Sequence, residues 1–307
     1  MLVTVLCLNP AIDRTVEVAG FVLRATNRIL AEHSVGAGKG INVAVAARRL
    51  GMEVACAGLL PRRGGRLALD RLARQGVGAS FVPVPGSVRV NLKIRDNSGA
   101  VTELNEPGEA VGERHLARAR SQALRLAGLS DYLVLTGSLP TGCPPDFYAK
   151  LMGDAPPTCR CVLDASGEAL TLGLGARPFL VKPNRQELEL ACGKALPALR
   201  DVRDAALSLI EAGAQRVAVS LAGEGALLTD GRRMLYAPGV AVPVRSPTGA
   251  GDAMVAGMVA GFAEDGDLEH ALRCGMAAAT ASIVSGKMTP HRGTYERFFS
   301  AVKVRQL

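Results

Sequence analysis

Hydrophobic positions along the chain follow two interleaved rhythms. Short apolar runs rich in β-branched residues predict strands over Leu2 to Leu8, Val54 to Leu59, Tyr132 to Leu135, Cys161 to Leu163, Phe179 to Lys182 and Arg216 to Ser220. Between them, apolar residues recur at helical spacing over Asn42 to Leu50, Leu67 to Gln75, Glu113 to Leu126, Asp146 to Met152 and Asp201 to Ala212. Two long helical patterns, Ala250 to Ala263 and Leu268 to Ser285, close the chain. This alternation predicts an α/β fold: a doubly wound, mostly parallel sheet with helices on both faces.

Two stretches depart from it. Thr15 to Val35 and Val88 to Glu106 hold short alternating segments separated by turn signals such as Asp96-Asn97-Ser98-Gly99. They read as antiparallel strands of a small second sheet, a discontinuous β-lid drawn from about 12–35 and 88–107 on a single domain spanning 1–307. Neither an internal repeat nor a low-complexity linker interrupts that domain.

Composition narrows the function classes. At 48% hydrophobic and 21% charged residues the chain is in the globular range, away from disorder. Long charge-free stretches such as Tyr132 to Pro145 and Cys274 to Gly286 fall short of the roughly 18 to 20 apolar residues that span a bilayer. The opening MLVTVLCLNPAIDR reads as a first strand and not as a secretory signal, which leads us to expect a cytoplasmic protein without membrane partners. Seven Cys without a C-x-x-C pair, with only four His, suggest neither a disulfide framework nor a zinc site. The net charge of +8 is scattered, densest over Arg114 to Arg125 on a helical pattern. With 4% aromatics and no Trp to stack bases, it reads as a solvated helix face and not as a nucleic-acid surface.

Glycine clusters carry the chemistry. Gly36-Ala37-Gly38-Lys39-Gly40-Ile41-Asn42 is not a Walker loop, because His33 stands where its first Gly belongs and Gly40 replaces the magnesium-binding Ser or Thr. Gly249-x-Gly251 and Gly223-x-Gly225 both lack the third Gly of a dinucleotide fingerprint, with Met254 and Leu228 in its place. The strongest local signal is Pro247-Thr248-Gly249-Ala250-Gly251-Asp252-Ala253-Met254, a Gly-rich turn running into an apolar helix. Free backbone N–H groups at such a helix start attract negative charge. An acid in that turn is either a cap for the helix or a base that deprotonates a hydroxyl attacking a phosphoryl group, and the motif alone leaves both open.

Five segments together tip this balance: Asn9-Pro10-Ala11-Ile12-Asp13, the Gly36 to Asn42 cluster, Thr136-Gly137-Ser138-Leu139-Pro140, Lys182-Pro183-Asn184-x-x-Glu187 and Thr248-Gly249-Ala250-Gly251-Asp252. In order and spacing the chain resembles the ribokinase-like (PfkB) carbohydrate kinase family from end to end. Within that family it is most similar to the 1-phosphofructokinase and tagatose-6-phosphate kinase branch, through Asn9 to Asp13, Asp164-Ala165-Ser166-Gly167-Glu168-Ala169-Leu170 and Gly137 to Gly142.

The resemblance implies Asp252 as catalytic base, with Gly249, Ala250 and Gly251 forming an anion hole. It places Lys182, Asn184, Thr248 and the Ser220 to Gly225 turn, with Gly223 and Gly225, around ATP, and Met276 and Thr280 beside the adenine. Asn184 and Glu187 would hold Mg²⁺ through water, since Mg²⁺ keeps much of its hydration. Asp13, Gly38, Lys39 and Asn42 would meet the sugar hydroxyls. Arg89, Asn91 and Lys93 alternate and so share one strand face, where with Ser138 they suit a phosphate already on the sugar. Each also has a plain structural alternative: first-turn acid for Glu187, tight turn for Gly223 and Gly225, packing for Met276 and Thr280, solvated edge for Arg89 and Lys93. Gly58 to Gly65 departs from the family, with Arg62 and Arg63 where its members are more glycine-rich and less basic.

The expected activity is ATP- and Mg²⁺-dependent phosphorylation of a ketose phosphate, foremost fructose 1-phosphate to the 1,6-bisphosphate, with tagatose 6-phosphate and fructose 6-phosphate as alternatives. A non-catalytic sugar-phosphate or nucleotide sensor is the rival of another class, and Asp252 argues against it. The small sheet is expected to cover the acceptor or to pair two copies of the chain.

Overall fold

Strand β1 (Leu2–Cys7) shows how the residue pattern becomes layers. Val3, Val5 and Cys7 enter one hydrophobic cluster and Leu6 and Leu8 the other, so this strand is covered on both faces. The computed structural model describes residues 1–286 and 292–307. After β1 the chain forms β2 (Ala11–Val18), β3 (Ile29–Ala37), α1 (Lys39–Arg49), β4 (Glu53–Arg63), α2 (Gly65–Arg74), β5 (Gly78–Ser87), β6 (Arg89–Arg95) and β7 (Val101–Asn105). It continues through α3 (Glu113–Ala127), β8 (Tyr132–Thr136), α4 (Phe147–Asp154), β9 (Arg160–Asp164), α5 (Glu168–Leu174), β10 (Leu180–Val181), α6 (Arg185–Cys192) and α7 (Leu199–Glu211). The last part holds β11 (Val217–Ser220), β12 (Gly225–Thr229), β13 (Met234–Pro238), α8 (Ala250–Glu264), α9 (Leu268–Ser285), α10 (Arg292–Ala301) and β14 (Arg305–Gln306).

Ten strands make the main sheet in the order β14-β13-β12-β11-β10-β9-β8-β1-β4-β5. From β5 to β11 every neighbouring pair is parallel, and β12, β13 and β14 add an antiparallel edge. Apolar residues of α1, α8 and α9 pack one face, and those of α3, α4, α5 and α7 pack the other. The expected doubly wound α/β architecture is what the chain forms. Its order reverses at β1, which lies between β4 and β8, so the crevice beyond the carboxyl ends of these strands is the place where such sheets bind ligands.

The small sheet has the order β3-β2-β6-β7. Its outer pairs are antiparallel, but β2 and β6 run parallel, which corrects the all-antiparallel expectation. The reason is connectivity: β2 continues from β1 and β6 from β5, and those two parent strands point the same way.

Other departures have local causes. β4 runs on through Pro61 to Arg63, four residues past the apolar run, and β5 was hidden by Pro83 and Pro85, which an edge strand tolerates. The arginines of α3 behave as a solvated face: Arg114, Arg118 and Arg125 are exposed and Arg120 pairs with Asp154. All seven cysteines are free, and no described helix is long and apolar enough to cross a membrane.

Candidate active site

The carboxyl ends of the parallel strands deliver the polar groups. Cys7 and Asn9 lie at the end of β1, Thr136 to Ser138 at the end of β8, Asp164 closes β9, Lys182 and Asn184 follow β10, and Ser220 ends β11. Across from them stand α1, opening at Gly38, and α8, opening at Gly249. The small sheet adds Asp13, Arg89, Asn91 and Lys93 from above. The small-sheet residues, Lys182, Asn184, Ser220 and the starts of α1 and α8 line a cleft of about 360 Å³, which Lys39, Arg89 and Glu187 share with an adjoining cavity of about 210 Å³ lined by Cys7, Asn9, Thr136 to Ser138 and Asp164 to Ser166.

Asp252 sits in the first turn of α8 and is buried. Gly249 caps that helix with φ 81°, a left-handed conformation that costs glycine little, and so turns the chain into the helix. The N–H of Ala250 donates to the Pro247 carbonyl at 3.2 Å. That bond occupies one group of the expected anion hole. The N–H groups of Gly249, Gly251 and Asp252 have no acceptor among the described residues, and these three residues line the cleft at the positive end of the helix dipole. Burial pushes the Asp252 carboxyl up to about 6, with Lys39 and the Asn42 hydrogen bond pulling down and Asp164 pushing up. Asn42 Nδ2 donates to Asp252 Oδ2 at 2.8 Å.

A buried charge network lies beside this carboxylate. Asp164 accepts from Thr136 Oγ1 at 2.9 Å and stands 3.3 Å from both Lys39 Nζ and Lys182 Nζ. Burial alone would raise the Asp164 carboxyl, but Lys182, Lys39 and Thr136 outweigh it and hold it below its ordinary value. Asp164 beside it, with Asp252 and Glu187 behind, holds the Lys39 ammonium well above the usual lysine range. Lys182 is almost wholly buried, and its Nζ lies 3.6 Å from where a Cβ on Gly251 would be, so this cation stands against the first turn of α8.

Asn184 and Glu187 form a capping box at the start of α6: Asn184 Oδ1 accepts from the Glu187 N–H at 2.8 Å and Glu187 Oε2 from the Asn184 N–H at 2.9 Å. The structural alternative therefore accounts for one oxygen of each. Glu187 Oε1 remains toward the cleft, 3.9 Å from Lys39 Nζ.

On the small sheet, Asp13, Asn91 and Lys93 interact across the β2–β6 pair. Lys93 Nζ pairs with Asp13 Oδ2 at 2.8 Å and Asn91 Nδ2 donates to Asp13 Oδ1 at 2.9 Å. This corrects the idea of two available cations, because Lys93 is neutralised by Asp13. Arg89 differs: it donates to Asn91 Oδ1 and to the carbonyls of Asn9 and Glu106, and makes no ion pair among the described residues. Partial burial lowers the pKa of its guanidinium, and the nearby carboxylates of Asp13 and Glu106 offset only part of that cost. Ser138 accepts from Asn9 Nδ2 at 3.1 Å, on the same side of the cleft.

Gly38, Ser220 and Thr248 line the cleft as expected. Gly225 is a tight-turn residue with φ 113°, where a Cβ would strike the Ala237 carbonyl, whereas a Cβ on Gly223 meets open space. Met276 and Thr280 are buried, and the Thr280 hydroxyl donates to the Met276 carbonyl at 2.8 Å; the packing alternative describes both, away from the cleft lining. Arg62 and Arg63 are exposed, with Arg63 held by Ser87. Sequence reasoning assigned no role to Asp164, Thr136 or Arg71. Asp164 carried a usable signal, an acid closing an apolar strand run.

The family described as pfkB family carbohydrate kinase matches residues 7–290. A 1-phosphofructokinase of Rhodobacter capsulatus is 40% identical over 293 residues, 94% of this chain and 92% of that protein. A 1-phosphofructokinase of Escherichia coli is 35% identical over 282 residues, 92% and 90% of the two. The structure of phosphofructokinase-2 from Escherichia coli in complex with fructose-6-phosphate is similar at a TM-score of 0.89 and 30% identity, covering 98% of each chain. The fold, the cleft and these relatives place the chain in the pfkB family of carbohydrate kinases.

Proposed function

We propose that this chain transfers the terminal phosphoryl group of ATP to the free primary hydroxyl of fructose 1-phosphate, giving fructose 1,6-bisphosphate. The observation that carries the reading is Asp252, a buried carboxylate pushed up to about 6 beside the open N–H groups of a helix start. Such a carboxylate is ionised at neutral pH yet basic enough to take a proton from an attacking hydroxyl. The N–H groups of Gly249, Gly251 and Asp252, with Lys182 next to them, are placed to meet the negative charge that develops on the transferred group.

On the acceptor side Arg89 supplies a cation that makes no direct ion pair among the described residues, suited to a sugar phosphate. Asp13 and Asn91 offer hydroxyl-binding groups, and Asn42 stands between sugar and base. The identity to proteins named 1-phosphofructokinase, up to 40%, favours the 1-phosphate over fructose 6-phosphate and tagatose 6-phosphate.

Among the described residues no three His, Cys, Asp or Glu side chains cluster as a metal cage. The donors present fit a hydrated Mg²⁺ travelling with the nucleotide, with Glu187 Oε1 and Asn184 reaching it through water. When bound, that ion neutralises the triphosphate charge. The small sheet, with Ile29, Leu30, Val101 and Leu104 exposed, would close over the acceptor to exclude water and pair with a second copy of the chain.

A coupled ADP-release assay across fructose 1-phosphate, fructose 6-phosphate, tagatose 6-phosphate and free fructose tests the substrate assignment. The highest kcat/KM belongs to fructose 1-phosphate in this reading; a higher value for another acceptor overturns it.

A further inference from the structure

Helix α2 lies unusually close to strand β3. A Cβ on Gly36 would stand 2.4 Å from the Ala68 nitrogen and from the Leu67 carbonyl carbon, so only the missing side chain allows this approach. One turn further along α2, Arg71 reaches back through the gap. Its Nη1 donates to the Gly36 carbonyl at 2.8 Å and to Asn42 Oδ1 at 2.9 Å. Both hydrogens of that nitrogen are thereby used, and the two acceptors come from different elements, β3 and α1.

The contact with Asn42 decides which way the amide points. With Oδ1 held by a guanidinium, the amide must present Nδ2 to Asp252, as it does at 2.8 Å. Turned over, it would set a carbonyl oxygen against the carboxylate. We propose that Arg71 is a positioning residue that sets the sense of the Asn42 amide and through it aims the Asp252 carboxylate, so that Oδ2 is held and Oδ1 is free for the acceptor hydroxyl. This rests on Asp252 being the base. Arg71 lies a shell away from the cleft, so it is not itself a catalytic residue.

The charged groups around Asp252 give this relay a pH signature. Lys39 from α1 and Lys182 after β10 favour its ionised form, Asp164 from β9 opposes it, and Arg71 from α2 adds a partly buried cation on the favourable side. Loss of Arg71 removes that cation and frees the Asn42 amide. Both changes move the acid limb of kcat to higher pH.

The test measures kcat and KM from pH 5.5 to 8.5 for Arg71→Met, Arg71→Lys, Asn42→Ala and the Arg71→Met/Asn42→Ala double variant, with ATP and fructose 1-phosphate. Arg71→Met is expected to lower kcat at pH 6.5 by about tenfold or more, less at pH 8.5, with the KM for ATP unchanged. Arg71→Lys, which keeps the charge and a donor, should recover part of the loss, and it serves as the reporter if Arg71→Met does not fold. In the Asn42→Ala background the same Arg71 change should cost clearly less, leaving only the part due to the lost cation. An unmoved acid limb, or an equal loss with and without Asn42, overturns the proposal. A carbon-13 titration of the Asp252 carboxyl in wild type and the Arg71 variants reads the effect without turnover. Failure of Asp252 as base, seen as an active Asp252→Asn variant, is thus distinguished from failure of Arg71 to act on it.

Discussion

Replacing Asp252 by asparagine removes a charge from a place where the fold penalises it. The side chain is buried, and its carboxyl is raised from an ordinary 3.8 to about 6, with burial the largest cause. An acid with a raised value binds its proton more tightly in the folded than in the unfolded chain. The folded state is therefore relatively favoured at low pH, and the penalty grows as pH rises from 3.8 to about 6 and is complete above that. At about 1.4 kcal/mol per pH unit the full penalty is about 3 kcal/mol. Asparagine matches the protonated carboxyl in shape and can still accept from Asn42 Nδ2. Asp252→Asn should thus raise unfolding free energy by about 3 kcal/mol at pH 7.5 but by only about 1 kcal/mol at pH 4.5. Guanidinium unfolding of both proteins at the two pH values measures this. A variant less stable than wild type at pH 7.5, or an equal difference at both values, would refute the assignment of a strained, ionised carboxylate.

Other consequences are open to separate tests. Because Asp252 must be ionised to act as a base, kcat of the wild type should fall below about pH 6 in a pH-rate profile and stay level above it until another group titrates. Arg89→Ala should reduce kcat/KM for fructose 1-phosphate by at least about tenfold while affecting free fructose little, as steady-state kinetics on both acceptors will show; equal losses would make Arg89 structural. Gly36→Ala forces a Cβ against the Ala68 backbone, and a loss of about 1 to 3 kcal/mol with a matching fall in kcat is expected in denaturant unfolding and turnover assays. Hydrogen exchange with sugar phosphate and a nucleotide analogue should protect Thr15 to Val35 and Val88 to Glu106 more than Leu2 to Leu8; unchanged exchange in those segments would make the small sheet fixed scaffold.

The residues differ in how openly they declared themselves. Asp252 was readable as a first-turn acid behind a Gly-rich turn, and the buried carboxylate stands there, but that pattern serves a helix cap as well as a base, and only the five segments taken together favoured the base. Arg89, Asn91 and Lys93 were readable as one face by their alternation, and they do face the cleft, but the neutralisation of Lys93 by Asp13 depends on pairing between distant strands that period-two spacing does not specify. Asn184 and Glu187 have a local signature that serves equally for a capping box and for reaching a metal ion, so spacing alone left both roles standing. Arg71 gave no signal. In sequence it is one of three arginines on a short helix, Arg66, Arg71 and Arg74, and only the close packing of α2 on Gly36 brings it to Asn42. The parallel β2–β6 pair was likewise a matter of which strands feed the small sheet, a property of topology and not of any local pattern.

The most direct test of the account is the turnover of folded Asp252→Asn against wild type at pH 7.5, with saturating ATP, Mg²⁺ and fructose 1-phosphate and with nucleotide binding measured in parallel. A fall in kcat of about 10² to 10⁴-fold at preserved nucleotide affinity is predicted, the usual contribution of a positioned base; near-normal turnover by the folded variant would contradict it.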